Sequence, residues 1–201
     1  MVAHVDKPEL FFETAADWER WLESRDDGVH PDAVRLRLRK TASTRPGILH
    51  AEALQVALCF GWIDGQSLSI DDDYFTVGFS ARRPRSLWSQ RNRDYVERLV
   101  SAGRMRPSGL LEVDRAKADG RWDAAYRQAT TTVPDDLRAA LDAHPAAAAT
   151  FDTLTAQNRF AVIFRVNNAK RATTRAAKIA GFVDSLARGE TPYPQKGIPP
   201  Q

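Results

Sequence analysis

Gln66-Ser67-Leu68-Ser69-Ile70 and Tyr74-Phe75-Thr76-Val77-Gly78-Phe79-Ser80, separated by Asp71-Asp72-Asp73, are the stretch on which the fold turns. Both flanks alternate in polarity, the period-2 signature of a half-buried strand, and three adjacent carboxylates stay in water, so the run predicts a β-hairpin with an exposed tip. Leu68 and Ile70 are expected on the same face as Phe75, Val77 and Phe79. Upstream, Ala33 to Lys40 alternates Val34, Leu36 and Leu38 with Arg35, Arg37 and Arg39. That pattern predicts a further strand with one core face and one basic face.

Helical periodicity fills the intervals. After a short strand at 8–13, Thr14 stands where an N-cap is needed, Asp17 follows three residues on, and Ala15, Trp18, Trp21 and Leu22 form one apolar stripe, predicting a helix to about Ser24. His50 to Phe60 predicts a second helix, with Ala53, Leu54, Ala57 and Leu58 inward and Gly61 as its stop. Trp62-Ile63-Asp64-Gly65 reads as a turn into the hairpin, Asp64 bonding its own backbone. A helix starting near Ser86 or Ser89 carries Trp88, Tyr95, Val96, Leu99 and Val100, and another runs from Pro107 to Ala118 before Gly120. Beyond Val133-Pro134 the pattern is helical alone, over 135–142, 145–154, 155–168 and 173–188. The predicted class is α+β: a small antiparallel sheet with packed helices over 1–128, an all-helical subdomain packed on it over 133–189, and a flexible Pro-rich tail over 190–201.

Composition narrows the function classes. A chain of 201 residues is long enough to bury roughly two-thirds of its surface. The single Cys59 excludes an internal disulfide and a thiolate zinc cage, which suits a reducing compartment. Met1 to Lys7 has no apolar leader core, and no apolar run approaches the ~18 residues of a membrane span, so a cytoplasmic location without membrane insertion is expected. His4, His30, His50 and His144 are too dispersed for a metal pair, and Asp71 to Asp73 lacks the glycine and glutamate of a calcium loop. Gly-rich phosphate loops and nucleophile elbows are absent; no metal or cofactor is expected.

The charge is unevenly placed. Between Arg82 and Arg106 eight arginines face only Asp94 and Glu97, a local +6 in a chain whose net charge is +3. Such a field attracts phosphate, carboxylate or nucleic acid. Arg91 and Arg93 would sit in the first turn of the helix near Ser86, where the macrodipole disfavours cations and an anion would relieve them. Arg82, Arg83, Arg85, Ser86 and Ser89 gather at that helix start, and the alternative use of the arginines is to pair with Asp64 and the Asp71 to Asp73 turn. Asn92 falls beside the apolar stripe and needs a backbone or ligand partner. Trp62 and Trp88 are candidate walls of a pocket, or core residues.

The blocks Ala57-Leu58-Cys59-Phe60-Gly61-Trp62-Ile63-Asp64-Gly65-Gln66 and Ala81-Arg82-Arg83-Pro84-Arg85-Ser86-Leu87-Trp88-Ser89 resemble the YdeI/OmpD-associated family of bacterial proteins. The likeness continues through Glu97-Arg98-Leu99, Gly103-Arg104-Met105, Ala116 to Trp122, Asn168-Ala169-Lys170-Arg171 and Thr174-Arg175. It implies a link to bacteriocin protection and no particular reaction, cofactor or catalytic residue.

The expected function is that of a bacteriocin-protection or stress-type protein that binds an anionic small molecule without catalysis. Its expected ligand-binding residues are Trp62, Asp64, Gln66, Arg82, Arg83, Arg85, Ser86, Trp88 and Asn92. One alternative is an enzyme acting on a phosphorylated or carboxylated molecule, with Asp64 as acid or base. The other is a nucleic-acid-binding protein whose basic stripe extends through Lys170, Arg171, Arg175 and Lys178.

Overall fold

The computed structural model describes residues 7–24, 33–126, 132–195 and 197. The chain divides into two compact units, Met1–Tyr126 and Arg127–Gln201.

In the first unit the elements follow the order β1 (Glu9–Phe11), α1 (Ala15–Glu23), β2 (Ala33–Arg39), α2 (His50–Cys59), β3 (Trp62–Ser69), β4 (Tyr74–Ala81), α3 (Gln90–Ser101) and α4 (Pro107–Ala118). The sheet order is β1-β2-β4-β3. β2, β4 and β3 are antiparallel neighbours, while the three-residue β1 adds to β2 in parallel. That parallel pairing sets Glu9 against Arg35, and the Glu9 carboxylate accepts hydrogen bonds from Arg35 at 2.9 Å and from Arg37 at 2.6 Å.

One sheet face makes the core. Val34 pairs with Phe79 and Leu36 with Val77, and all four are buried beneath α1 and α2 residues including Trp18, Leu22, Leu54 and Leu58. α1 begins as its sequence requires: Thr14 Oγ1 accepts from the Asp17 backbone N–H at 3.2 Å and donates to the Asp17 carboxylate at 2.6 Å. Trp18, fully buried, donates its indole N–H to Ala53 O at 3.1 Å, fastening α1 to α2.

The hairpin differs from the sequence expectation at its start. Trp62 to Gly65 is strand and not turn, and the register slips between Asp64 and Ser67. A bulge changes parity, so Ser67 and Ser69 pair with Val77 and Phe75 while Leu68 pairs with Thr76. Leu68 and Ile70 are therefore 39% and 48% exposed instead of joining the core. At the tip Asp71 Oδ1 accepts from the backbone N–H groups of Asp73 and Tyr74, both at 2.8 Å, and Asp73 pairs with Ser43 and Arg45. The tip does not bind Arg82, Arg83 or Arg85.

α3 starts at Gln90 with Ser89 as its cap, not at Ser86, because Ser89 Oγ accepts from Asn92 N–H at 3.2 Å. Residues 83–86 form a separate turn, closed by Ser86 N–H to Arg83 O at 2.9 Å. Tyr126 then returns to the head of α3, donating its backbone N–H to Trp88 O at 3.1 Å and accepting from Gln90 at 2.8 Å.

α4 packs on the end of α2 through Gly109. A Cβ there would stand 2.1 Å from the Cys59 carbonyl oxygen, so only glycine permits the approach.

The second unit holds α5 (Asp135–Asp142), α6 (Pro145–Asp152), α7 (Ala156–Asn167) and α8 (Ala172–Ala187), with no strand among its described residues. Leu137, Leu141, Phe151, Val162, Val166 and Leu186 form its core. Arg175 of α8 donates twice to Asp136 of α5, at 2.6 and 2.8 Å, and once to Val166 O of α7 at 3.0 Å. Part of the expected tail, Lys196 and 198–201, lies outside the described residues. Within it, Tyr193 and Gln195 are hydrogen-bonded to the buried side chain of Asn158.

Candidate functional site

β3, β4 and the head of α3 converge on Arg82. Its backbone extends the hairpin by donating to Gly61 O at 2.9 Å, and its side chain turns inward until only 6% of the residue is exposed. The guanidinium lies 3.5 Å from the Trp88 ring centre, and Nη1 donates to Leu87 O at 3.2 Å. Nε and Nη2 are buried with no hydrogen-bond partner among the described residues. Burial pushes the Arg82 pKa down to about 10, against the opposing pull of Glu112 and Asp64, neither of which hydrogen-bonds to it. A buried guanidinium held only by one carbonyl and an aromatic face is an expensive arrangement, since each orphaned donor costs on the order of 1–3 kcal/mol.

Arg82 does not stand alone. Trp88 Nε1, Arg121 Nη2 and Arg93 Nε are also buried N–H donors lacking an acceptor. They belong to one neighbourhood: Trp88 meets Trp122 edge-on at 4.9 Å, Arg93 lies 5.0 Å from the Trp122 ring and donates to Trp122 O, and Arg121 donates to Ser86 O at 2.8 Å. A surplus of buried donors is chemically the complement of an anion carrying several acceptor oxygens.

A second group borders Arg82. Asp64 occupies β3 opposite Phe79 on the core face, where alternation calls for an apolar side chain. Its Oδ2 lies 3.0 Å from His50 Nε2, and each side chain is 28% exposed. Gly61, with φ of 74°, folds α2 tightly onto β3, so the start of a ten-residue helix comes back alongside the third residue of the strand. Tyr126 completes the group; burial raises its phenol, and Asp64 and Arg82 act on it from opposite directions.

The expected site residues separate accordingly. Arg82, Trp88 and Asp64 come together. Arg83 and Arg85 ride on the exposed turn beside them, Ser86 Oγ accepts from Arg83 N–H at 3.0 Å to close that turn, and Gln66 is exposed on β3 past the bulge. Asn92 is buried behind Ser89. Trp62 is not a pocket wall facing Trp88: it is 2% exposed and packs edge-on against Trp18 and Trp21, at 6.2 Å from each. The structure adds His50, Glu112, Arg121 and Tyr126, which the sequence pattern does not single out as site residues. A carboxylate at a core-facing strand position was the available signal that Asp64 needed a partner.

The arginine excess is largely spent inside the fold. Arg104 pairs with Glu19, Arg106 with Glu19 and Glu23, and Arg93 with Trp122 O and Glu97. In the second unit Arg175 is committed to Asp136. Cys59 is a core thiol pushed up to about 11 by burial. A cleft of about 460 Å3 between α5 and α8, walled by Ala140, Ala176, Ile179 and Val183, carries at its rim an Asp136–Arg175 pair that is already satisfied. Among the described residues no cluster of His, Cys, Asp and Glu could hold a metal, and no helix is long and apolar enough to cross a membrane.

Fold and site thus define a two-unit protein, an α+β unit with a buried cation beside a histidine–carboxylate pair, joined to an all-helical unit. Residues 10–112, just over half of the chain, match the model of a domain of unknown function (DUF8412), and residues 130–189 match the family described as Bacteriocin-protection, YdeI or OmpD-Associated. The chain belongs to the DUF8412 family, and its helical unit is similar to the bacteriocin-protection, YdeI or OmpD-associated family. The sequence blocks around Trp62 and Arg82 fall in the first match, and Asn168 to Arg175 in the second. No curated protein and no solved structure matches the chain.

Proposed function

We propose that this protein of the bacteriocin-protection, YdeI-like type acts by binding an anionic small molecule in its α+β unit, at Arg82, Trp88 and Arg121. The observation that carries the reading is the set of buried, partnerless N–H donors on those three residues. Native folds leave few such groups, and a phosphate or carboxylate would satisfy several at once. The exposed Arg83 and Arg85 attract the anion electrostatically and do not form the pocket. Thermal unfolding in phosphate, sulfate or acetate against chloride at equal ionic strength tests it. The wild type gains stability with concentration, and Arg82→Met does not. An equal response in both proteins would remove the site.

One observation favours a second reading, an enzyme acting on such an anion. Asp64, in β3, bonds His50 at the start of α2. A carboxylate that orients an imidazole is an arrangement used for general acid–base catalysis. Turnover of a bound anion that disappears in both His50→Gln and Asp64→Asn, with binding retained, would distinguish it from simple binding.

A further inference from the structure

Asp64 acts on Arg82 electrostatically, yet the two side chains form no ion pair among the described residues. Two such groups, one 6% exposed and the other lying on a core-facing strand position, would gain from direct contact if the frame allowed it. Each keeps unused capacity instead. Arg82 has donors at Nε and Nη2 without acceptors. Asp64 is the converse: His50 engages Oδ2, and Oδ1 accepts no hydrogen bond among the described residues. The imidazole engages one carboxylate oxygen and leaves the second free. Tyr126, whose phenol burial keeps protonated, borders both.

A bare anion answers only half of this arrangement. Drawn to Arg82, it would meet the like charge of Asp64, which acts on the guanidinium from nearby. A molecule with an anionic group at one end and a hydrogen-bond donor at the other meets both demands, and converts the Asp64 charge from a penalty into a contact.

Resting on the anion-binding reading above, we infer that the ligand is dipolar: its carboxylate or phosphate is received by Arg82 and Trp88, and a hydroxyl or ammonium group on the same molecule is received by Asp64, held in place by His50. Asp64 is then the specificity-determining residue of the site. It separates hydroxy and amino acids from simple anions.

Isothermal titration tests this with probes of graded length: acetate, propanoate and butanoate; glycolate, 3-hydroxypropanoate and 4-hydroxybutanoate; glycine, β-alanine and 4-aminobutanoate; and inorganic phosphate. At least one substituted acid is expected to bind roughly tenfold or more tightly than the unsubstituted acid of equal chain length, with the best length reporting the gap. In Asp64→Asn the preference collapses and the unsubstituted acids bind more tightly, because the repulsion is gone. Circular dichroism confirms that the variant is folded, and His50→Gln, which can still donate to Asp64, retains part of the preference. If the simple acids bind the wild type as well as every substituted one, the dipolar inference fails and the anion site stands. If none of the probes binds, phosphate included, both fail.

Discussion

The guanidinium carbon of Arg82 lies 3.5 Å from the centre of the Trp88 ring, while the same guanidinium leaves Nε and Nη2 without partners. A cation–π contact is attractive, worth about 0.5–2 kcal/mol, but it does not replace hydrogen bonds at the guanidinium nitrogens. The pair therefore holds a charge in place without satisfying it.

Removing that charge should not harm the fold. Depression of the Arg82 pKa from 12.5 to about 10 corresponds to roughly 3 kcal/mol of burial cost, which exceeds the loss of one stacking contact. Arg82→Met in chloride buffer is expected to match or exceed the wild-type urea midpoint. All five tryptophans lie in the α+β unit, so indole fluorescence reports this unit directly. A clear drop in midpoint would make Arg82 a structural residue.

Two glycines should respond in opposite directions to alanine. At Gly109 the new Cβ would meet the Cys59 carbonyl at 2.1 Å, forcing α4 off α2 at a cost of roughly 3 kcal/mol or more. Gly181, inside α8, has open space around it, so Gly181→Ala should stabilise the helical unit by about 1 kcal/mol. Fluorescence melts follow the first variant and far-ultraviolet circular dichroism the second.

The Cys59 thiol should be inert in the native protein. It is fully buried, and burial lifts its pKa from 9.0 to about 11. Ellman's reagent at pH 8 is expected to label it only after urea unfolding. Because the folded pKa lies above the unfolded one, stability is unaffected below about 9 and falls as pH rises toward 11, where the unfolded chain releases its proton first. Cys59→Ala should flatten that alkaline decline.

The helical unit should weaken in acid through Asp136. Hydrogen bonds from Arg175 hold its carboxyl below the ordinary value of 3.8. A depressed carboxylate adds stability above its unfolded pKa and loses it as pH falls through the folded one, so the effect is confined to pH below about 3.8. Asp136→Asn should remove this component from the acid titration of the circular dichroism signal while leaving indole fluorescence unchanged.

Much of the local architecture was legible because its causes are local. Thr14 and Asp17 cap α1 within four residues, Val34, Leu36 and Leu38 alternate within one strand, and Gly61 ends α2 where its positive φ is needed. The local pattern misleads where a long-range pairing overrides it. Asp64-Gly65 has turn chemistry, yet pairing with β4 draws it into the sheet. The bulge that follows reverses the parity of Leu68, and nothing within Gln66 to Ile70 signals it.

The site shows the same division more sharply. Its address, an arginine- and tryptophan-rich segment ending the hairpin, could be read along the chain, because composition and charge accumulate there in sequence. Its chemistry could not. Arginines at 93, 104 and 106 look equivalent to Arg82 in a string, but three-dimensional packing gives those three acceptors and leaves Arg82 with one. His50 and Asp64 are fourteen residues apart and meet only because α2 folds back on β3. By itself the sequence determined the α+β class, the strand and helix periods and the location of the charge, since each is set by neighbours within a turn or a strand. Only the tertiary structure decided which charges are neutralised and which remain buried with capacity to spare, because burial and pairing depend on groups that the chain brings together from distant positions.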